Sequence, residues 1–197
     1  MRLGKLCEIH SGYTARGRLE AMPSEGMLAI QLRDLGHGEA LNGNTLERYD
    51  LPNLADRYLV HGGEVVFKSR GEPNTAAVVD SMLQEKIAVM LPLLILRPDI
   101  TRLAPAYLAW AINQHDAQRK LGAEAQGTSL RMISKATLQN LEIPIPDLET
   151  QHRIATLDTL AKQEGRLLRD LANSREQLHS KILSERAELA SSQGNQR

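Results

Sequence analysis

The sequence contains few aromatic residues and no excess of charge of either sign. Of its 197 residues, four are Tyr, one is Phe and one is Trp. Proteins that bind single-stranded nucleic acid stack successive bases on aromatic side chains, so this composition argues against that class. Lys and Arg together number 24, and so do Asp and Glu. Bulk charge therefore gives no support to a nucleic-acid role, which would require basic side chains to cluster locally.

Cysteine and long hydrophobic runs are also scarce. Cys7 is the single cysteine, which excludes an internal disulfide framework and a paired-cysteine metal site. We infer a reducing, cytoplasmic setting from this cysteine content. No run of 18 apolar residues occurs, and the first twelve residues lack the apolar core of a secretory signal. We therefore expect neither a membrane span nor a signal peptide.

Motifs that carry catalysis are missing as well. The sequence has no G-x-x-x-x-G-K-S/T phosphate loop, no G-x-G-x-x-G dinucleotide motif and no recognisable pair of carboxylates. Cys7 and His10 lie three residues apart without a third ligand nearby, so we interpret Cys7 as a small core residue rather than a metal ligand. The expectation is a non-catalytic chain with no metal site and no cofactor of its own.

The sequence changes character near residue 146. All eight prolines lie at or before Pro146, and only two of the fourteen glycines follow it. The later residues are rich in Leu, Glu, Arg, Ala and Gln, which favour helix. The sequence thus predicts an α+β protein with a mixed α and β domain over 1–146 and one long C-terminal coiled-coil helix over 147–190. Within 147–190, the stretch from Gln151 to Ala190 is predicted to be one continuous helix, and a frayed tail is predicted over 191–197.

Short apolar runs bounded by turn residues predict the strands of the first part. These runs are Met27–Leu32, Glu64–Lys68, Ala76–Asp80 and Ile87–Arg97. A helix is predicted over Pro105–Leu121, because proline suits a first helical turn and the apolar residues fall on one face. Ser134 is predicted to cap a short helix that follows a loop.

The predicted long helix carries an apolar seam. With Ile154 at heptad position a, eight of the eleven a and d positions are apolar, which is the 3.5-residue spacing of a coiled coil. The apolar seam residues are Ile154, Leu157, Ala161, Leu168, Leu171, Leu178, Ile182 and Leu189. Glu164, Arg175 and Glu185 interrupt the seam and would fix register or pairing direction. A helix of this length, roughly 60 Å, needs a partner for its seam, either another copy or a different chain.

Four places offer side chains suited to DNA, since phosphate contacts need basic or small polar groups and base reading needs bidentate donors. The candidates are Arg16 and Arg18 in a glycine-flanked loop; Gln31 and Arg33 after a strand; Lys68, Ser69, Arg70 and Asn74 in a turn; and Arg119, Lys120, Thr128, Ser129, Arg131 and Lys135. The alternative for each cation is a solvated surface residue. Lys68–Asn74 equally fits an ordinary hairpin turn, and the two loop hydroxyls equally fit a role in shaping their loop.

Three segments together resemble the specificity subunit of type I restriction-modification systems. They are LGKLCEIHSGYT near the start, VHGGEVVFKSRGEPNTAAVV in the middle, and QGTSLRMISKATLQNLEIPIPDLETQHRIATLDTL leading into the long helix. The last is similar to the family's Gly-Ser/Thr loop, short helix, Ile-Pro-x-Pro strand and Glu-x-Gln-x-x-Ile helix start. The chain departs from the family pattern in carrying one recognition domain and one helix instead of two.

The resemblance implies a non-catalytic reader of double-stranded DNA that directs adenine methyltransferase subunits, and in some systems a restriction subunit, to a split target. S-adenosylmethionine would sit on the partner methyltransferase, not on this chain. A half-subunit would form a homodimer through its helix, and two identical readers favour a palindromic site. The competing hypothesis, kept open by the neutral charge, is a coiled-coil adaptor or decoy that binds those subunits without reading DNA. A small hydrolase lacks the necessary nucleophile and base.

Overall fold

A computed structural model describes residues 1–15, 17, 19–36, 41, 43–51, 53–125 and 132–194, with side chains described to residue 187. The chain divides into two compact units, Met1–Ala155 and Thr156–Arg197. Two sheets and three short helices make up the first unit, and a long C-terminal helix enters the second. The α+β class predicted from the sequence is confirmed.

The secondary structure of the described residues comprises nine strands and four α-helices. The strands are β1 (Cys7–Ser11), β2 (Ala21–Met22), β3 (Met27–Ile30), β4 (Glu47–Tyr49), β5 (Leu59–Val60), β6 (Val65–Lys68), β7 (Ala76–Val78), β8 (Ile87–Val89) and β9 (Leu93–Pro98). The helices are α1 (Pro105–Asn113), α2 (His115–Glu124), α3 (Lys135–Asn140) and α4 (Leu148–Gly194). Short 3-10 turns occupy Leu3–Lys5, Leu32–Asp34, Gly43–Thr45 and Asp56–Tyr58.

The strands form two sheets. One has the order β1-β9-β6-β7 and is antiparallel throughout. The other has the order β2-β4-β3-β8-β5, in which β3 and β8 run parallel and the other neighbours run antiparallel. Because β8 lies in one sheet and β9 in the other, the turn between them joins the two sheets.

The central strands of the four-stranded sheet are buried on both faces over Val65–Phe67 of β6 and Leu93–Leu96 of β9, so these stretches are apolar at every position. Val65 and Phe67 of β6 belong to a core shared with α1, α2 and α3, whereas Val66 belongs to a core shared with the second sheet. This division follows from the alternation of side chains along a strand. Cys7 lies in the first core, where burial raises the pKa of its thiol to about 12, as expected for a structural residue.

Two sequence predictions are wrong in detail. The run Ile87–Arg97 forms two strands rather than one, because Pro92 has no N–H for a strand ladder and a turn interrupts the run there. The predicted helix Pro105–Leu121 is also broken, since Gln114 adopts an extended backbone with ψ of 147°. The Asn113 side chain there bonds both backbone groups of Ala76 on the edge strand β7. The break at Gln114 has no local sequence signal.

The start of α4 is fixed by two polar residues. Asp147 accepts hydrogen bonds at Oδ1 from the Thr150 N–H and at Oδ2 from the Thr150 hydroxyl, both 2.9 Å, and these bonds lower the pKa of its carboxyl. Gln151 is fully buried and makes three hydrogen bonds to backbone groups of the first unit. The predicted N-cap of α3 is confirmed, because Ser134 Oγ accepts from the Thr137 N–H at 3.0 Å.

The second unit consists of the later part of α4. Apart from half-buried Asp158 and Gly165, the residues from Thr156 to 187 are exposed. Among the described residues, no helix combines the length and the apolar composition that a membrane crossing requires.

Candidate nucleic-acid interface

The turn between β8 and β9 is the structural centre of the site. The Leu91 N–H donates to Tyr13 O at 2.9 Å, and the Tyr13 N–H donates to Val89 O at 2.7 Å. These bonds hold the chain after β1 against the turn. Gly12 permits this approach, because a Cβ there would lie 2.7 Å from the backbone carbon of Met90 and the oxygen of Val89. The loop that leads to Arg16 and Arg18 is therefore anchored beside the β8–β9 turn.

Two further predicted segments meet the same turn. The Ser69 N–H donates to Pro92 O at 3.3 Å, and the Ser69 hydroxyl bonds the same oxygen. The Ile133 N–H donates to Ser69 O at 2.8 Å, and Arg70 and Met132 pair as an isolated antiparallel bridge. The segment that precedes α3 is thus placed directly beside the turn after β6.

Gln31 approaches from the other sheet. The Met90 N–H donates to Ile30 O at 2.9 Å, which places the end of β3 next to the same turn. Four segments that are far apart in sequence therefore converge at one end of the first unit. We call this the reading end, and it consists of residues 12–14, 31, 68–70, 90–92 and 132–135.

Arg70 and Lys135 are exposed at the reading end, and Lys68 is half-buried. Among the described residues, none of these three cations forms an ion pair. Tyr13 packs edge-on against Tyr58 with ring centroids 5.5 Å apart. The arrangement leaves positive charge available for a ligand.

Ser69 and Asn74 were also predicted to contact DNA, but their burial distinguishes them from Lys68, Arg70 and Lys135. Both are buried, with 3% and 5% of their surface exposed. Asn74 Nδ2 donates to Lys68 O at 3.0 Å, and Asn74 O accepts from Gln118 Nε2 at 2.9 Å. These groups shape the turn that presents Lys68 and Arg70.

Arg33 lies within a charged cluster of its own. Its guanidinium pairs with Glu47 and Asp34 and donates to the Tyr49 hydroxyl at 2.7 Å. The hydrogen bond from Tyr49 lowers the pKa of Glu47, whereas burial raises the pKa of Asp34. Two carboxylates thus balance the charge of Arg33, so it offers less to a phosphate than the cations of the reading end.

Arg119 and Lys120, the two predicted DNA-contacting residues on α2, lie away from the reading end. Arg119 pairs with Asp116 at 3.1 Å, and Lys120 Nζ donates to Glu142 O at 3.4 Å. Glu142 also pairs with Arg2, which precedes β1 and so lies at the end of that strand away from Gly12. The predicted residues Arg16, Arg18, Thr128, Ser129 and Arg131 lie outside the described residues.

Sequence reasoning missed the role of the β8–β9 turn. Leu91 and Pro92 sit inside an apolar run, and the sequence gives no sign that four segments meet there. The available signals were indirect: Pro92 breaks the run, and Gly12 comes directly after β1.

The predicted seam is exposed along the second unit. Leu157, Leu168, Leu171 and Leu178 expose 56–66% of their surface, and Ile182 exposes 45%. Ile154 differs, because it is half-buried and packs against the core of the first unit. Ala161 is exposed, and the side chain of Leu189 lies outside the described residues.

Comparison with known proteins gives one family. The family model of the type I restriction modification DNA specificity domain matches residues 1–171. The chain is similar in structure to the HsdS subunit from Thermoanaerobacter tengcongensis, with a TM-score of 0.59 and 24% identity over 85% of this chain and 38% of that chain. No curated protein matches the chain.

Two further solved structures share the fold. One comes from work on complex assembly and conformational transition of the type I R-M system, with a TM-score of 0.61 and 23% identity over 88% of this chain and 40% of that chain. The other is the type I restriction-modification S subunit from M. genitalium, with a TM-score of 0.57 and 15% identity over 83% and 38%. The chain thus spans 38–40% of the length of these structures.

Proposed function

Because the chain belongs to the family of the type I restriction modification DNA specificity domain, we propose that it is a non-catalytic subunit that recognises a double-stranded DNA sequence. The observation that carries this proposal is the convergence of four separate segments on the reading end. A loop surface built on rigid strands, with its own cations unpaired, suits readout of base edges.

The chain has no net charge, so a nucleic-acid role requires basic side chains to cluster locally, and the reading end supports such a cluster. Three stretches of sequence that include segments of the reading end, 13–18, 68–74 and 126–135, contain six basic residues and one acidic residue, Glu72. The basic residues are Arg16, Arg18, Lys68, Arg70, Arg131 and Lys135. Within this set we assign Arg70 to a base edge, because a guanidinium binds guanine bidentately, and Lys68 and Lys135 to phosphates.

The assembly proposed around this reader has two copies. Residues 1–146 form the reading domain, and 147–190 form a spacer and dimerisation helix. The helix α4 continues to Gly194, so the predicted tail over 191–197 begins as helix. The seam pairs two copies in the cytoplasm, and the resulting twofold dimer reads a split palindrome. Adenine methyltransferase chains, and in some systems a restriction chain, bind this dimer. S-adenosylmethionine is bound by the methyltransferase, and this chain needs no cofactor.

Salt dependence of duplex binding tests the proposed function. A reader that neutralises several phosphates loses affinity as salt rises, with a slope of about −0.9 per phosphate in the logarithm of the association constant against the logarithm of the salt concentration. Fluorescence anisotropy with a random-sequence duplex pool, with and without the methyltransferase chain, measures this slope. Undetectable or salt-independent binding in both conditions would support the adaptor without DNA reading instead.

Arg70→Ala is expected to weaken specific binding by about 1–3 kcal/mol, the value of one bidentate guanine contact, and to relax base preference at one position. The matched control is Arg102→Ala, because Arg102 is an exposed arginine just beyond the far end of β9. Selection of bound duplexes from the random pool measures both effects. If the selected sequences and their affinity are the same for Arg70→Ala and the wild type, Arg70 does not read a base.

A further inference from the structure

Two large apolar side chains are exposed at the reading end. Leu91 exposes 45% of its surface and Met132 exposes 43%. Single exposed apolar residues are common on proteins and need no special explanation. These two differ because both lie in the surface proposed to bind DNA, where a bound duplex would remove them from water. An apolar side chain in that position needs an apolar group on the DNA as its partner.

Leu91 and Met132 lie on either side of Arg70. Met132 is paired with Arg70 in the isolated antiparallel bridge. On the other side, the Ser69 N–H donates to Pro92 O at 3.3 Å, which continues the antiparallel pairing of β6 with β9. Arg70 and Leu91 are the next residues outward in these two chain segments. The arginine therefore comes from the middle one of three neighbouring segments, and the two apolar residues come from the outer ones.

The backbone that carries both apolar residues is fixed by the surrounding structure. The Leu93 N–H donates to Met90 O at 3.0 Å, which closes the turn around Leu91. Next to Met132, the side chain of Ile133 is buried in the first core. A surface that is already ordered loses little conformational entropy when it contacts a ligand. The two side chains are thus presented to the duplex in a defined place.

The major groove of DNA offers one apolar substituent, the methyl group of thymine. The other base-edge groups there are hydrogen-bond donors and acceptors, and an apolar side chain that covers them takes away their hydrogen bonds to water without replacing them. Arg70 is assigned to a guanine edge in this groove, so its two apolar neighbours enter the same groove. Neighbouring β segments lie about 4.8 Å apart and base pairs about 3.4 Å apart, so each contact falls within about two base pairs of the guanine.

We propose that Leu91 and Met132 determine sequence specificity by contacting the methyl groups of thymines on the two sides of the guanine bound by Arg70. The inference rests on the proposed function and names a base that this part of the reading end selects. The target then contains a thymine, on either strand, within about two base pairs on each side of that guanine.

Replacement of thymine by deoxyuridine tests the contact, because the two bases form the same hydrogen bonds and differ only in the methyl group. A duplex selected from the random-sequence pool is synthesised with each thymine replaced in turn. Fluorescence anisotropy measures its affinity for the full chain, together with the methyltransferase chain where selection required it. For the wild type, replacement of one thymine on each side of the guanine whose selection Arg70→Ala relaxes should weaken binding about fourfold, the effect of one buried methyl-sized group.

Leu91→Ala and Met132→Ala assign the two thymines to their contacts. Each variant should bind the thymine and deoxyuridine duplexes equally at one position and keep the wild-type preference at the other, which also shows that the variant is folded. The matched control is Ile100→Ala, because Ile100 is 70% exposed and lies beyond the end of β9 that is away from the reading end. This control should keep both preferences.

The outcomes separate this inference from the proposed function. A wild-type chain that selects a sequence but does not distinguish thymine from deoxyuridine near the guanine, or whose selected site has no thymine there, overturns the methyl contacts while DNA reading stands. If an alanine variant weakens binding to both duplexes equally, its side chain acts as a wedge between bases or on the backbone, and its methyl contact is overturned. A wild-type chain that binds no duplex in either condition overturns the proposed function and this inference with it.

Discussion

Leu171→Glu combined with Leu178→Glu is expected to turn the proposed dimer into a monomer. In the isolated chain these leucines expose 58% and 56% of their surface, and burying a leucine side chain contributes about 1.5–3 kcal/mol. The double variant removes four such contacts from a twofold interface and introduces four carboxylates. Glutamate is a good helix former, so α4 itself should persist.

The control for this prediction is Leu183→Glu. Leu183 is 69% exposed and lies beside the seam rather than on it, so its change should leave the dimer intact. Sedimentation equilibrium gives the association state, and tryptophan fluorescence reports the first unit, since Trp110 is the single tryptophan. A monomer should also lose the cooperative binding of both halves of a palindrome. If the double variant self-associates as strongly as the wild type, the seam does not hold two copies together and instead binds another partner or none.

Local patterns made part of the fold predictable. The strands near Met27, Val65 and Ala76 follow from apolar runs between turn residues, and the Ser134 cap follows from side-chain chemistry at a helix start. The long helix follows from residues that favour helix and from the absence of proline. Each of these features depends on residues that are close in sequence, so a local sequence pattern is sufficient to predict it.

Features that depend on distant contacts were not predictable. The break at Gln114 coincides with hydrogen bonds from Asn113 to an edge strand 37 residues earlier. The burial of Ser69 and Asn74 arises from packing around the β8–β9 turn and α2. The neutralisation of Arg33 by Glu47 and Asp34 arises in the same way. Residues in or next to four of the five segments of the reading end were predicted from the sequence, and the β8–β9 turn was missed. Tertiary structure determined which cations there remain unpaired.

The family was predicted from the order of three sequence segments, and the match over residues 1–171 confirms it. Two of the segments contain local structural features: the middle one holds the turn after β6, and the last one holds the cap of α3 and the start of α4. The last of these segments contains Gln151, whose importance was not evident before its contacts were known.

Gln151→Ala is expected to destabilise the first unit by about 3 kcal/mol or more. The Gln151 side chain accepts from the Ala104 N–H at 2.8 Å and donates from Nε2 to Arg102 O at 2.9 Å and to Pro146 O at 2.8 Å. Gln151 has no exposed surface, so alanine leaves the buried Ala104 N–H and two part-buried carbonyl oxygens, those of Arg102 and Pro146, without these hydrogen bonds. Each unsatisfied buried group costs about 1–3 kcal/mol, and a whole domain is stable by about 5–15 kcal/mol.

Urea unfolding followed by Trp110 fluorescence measures this loss, because Trp110 lies in α1 and packs against the core that Ile154 also joins. Gln177→Ala is the matched control, since Gln177 is an exposed glutamine on the same helix and alanine favours helix more strongly. Gln151→Leu separates hydrogen bonding from packing: it restores most of the lost volume but none of the three bonds, so it should remain nearly as unstable as Gln151→Ala. A loss below about 0.5 kcal/mol in both Gln151 variants, the range of ordinary surface substitutions, would show that the three bonds do not hold the start of α4.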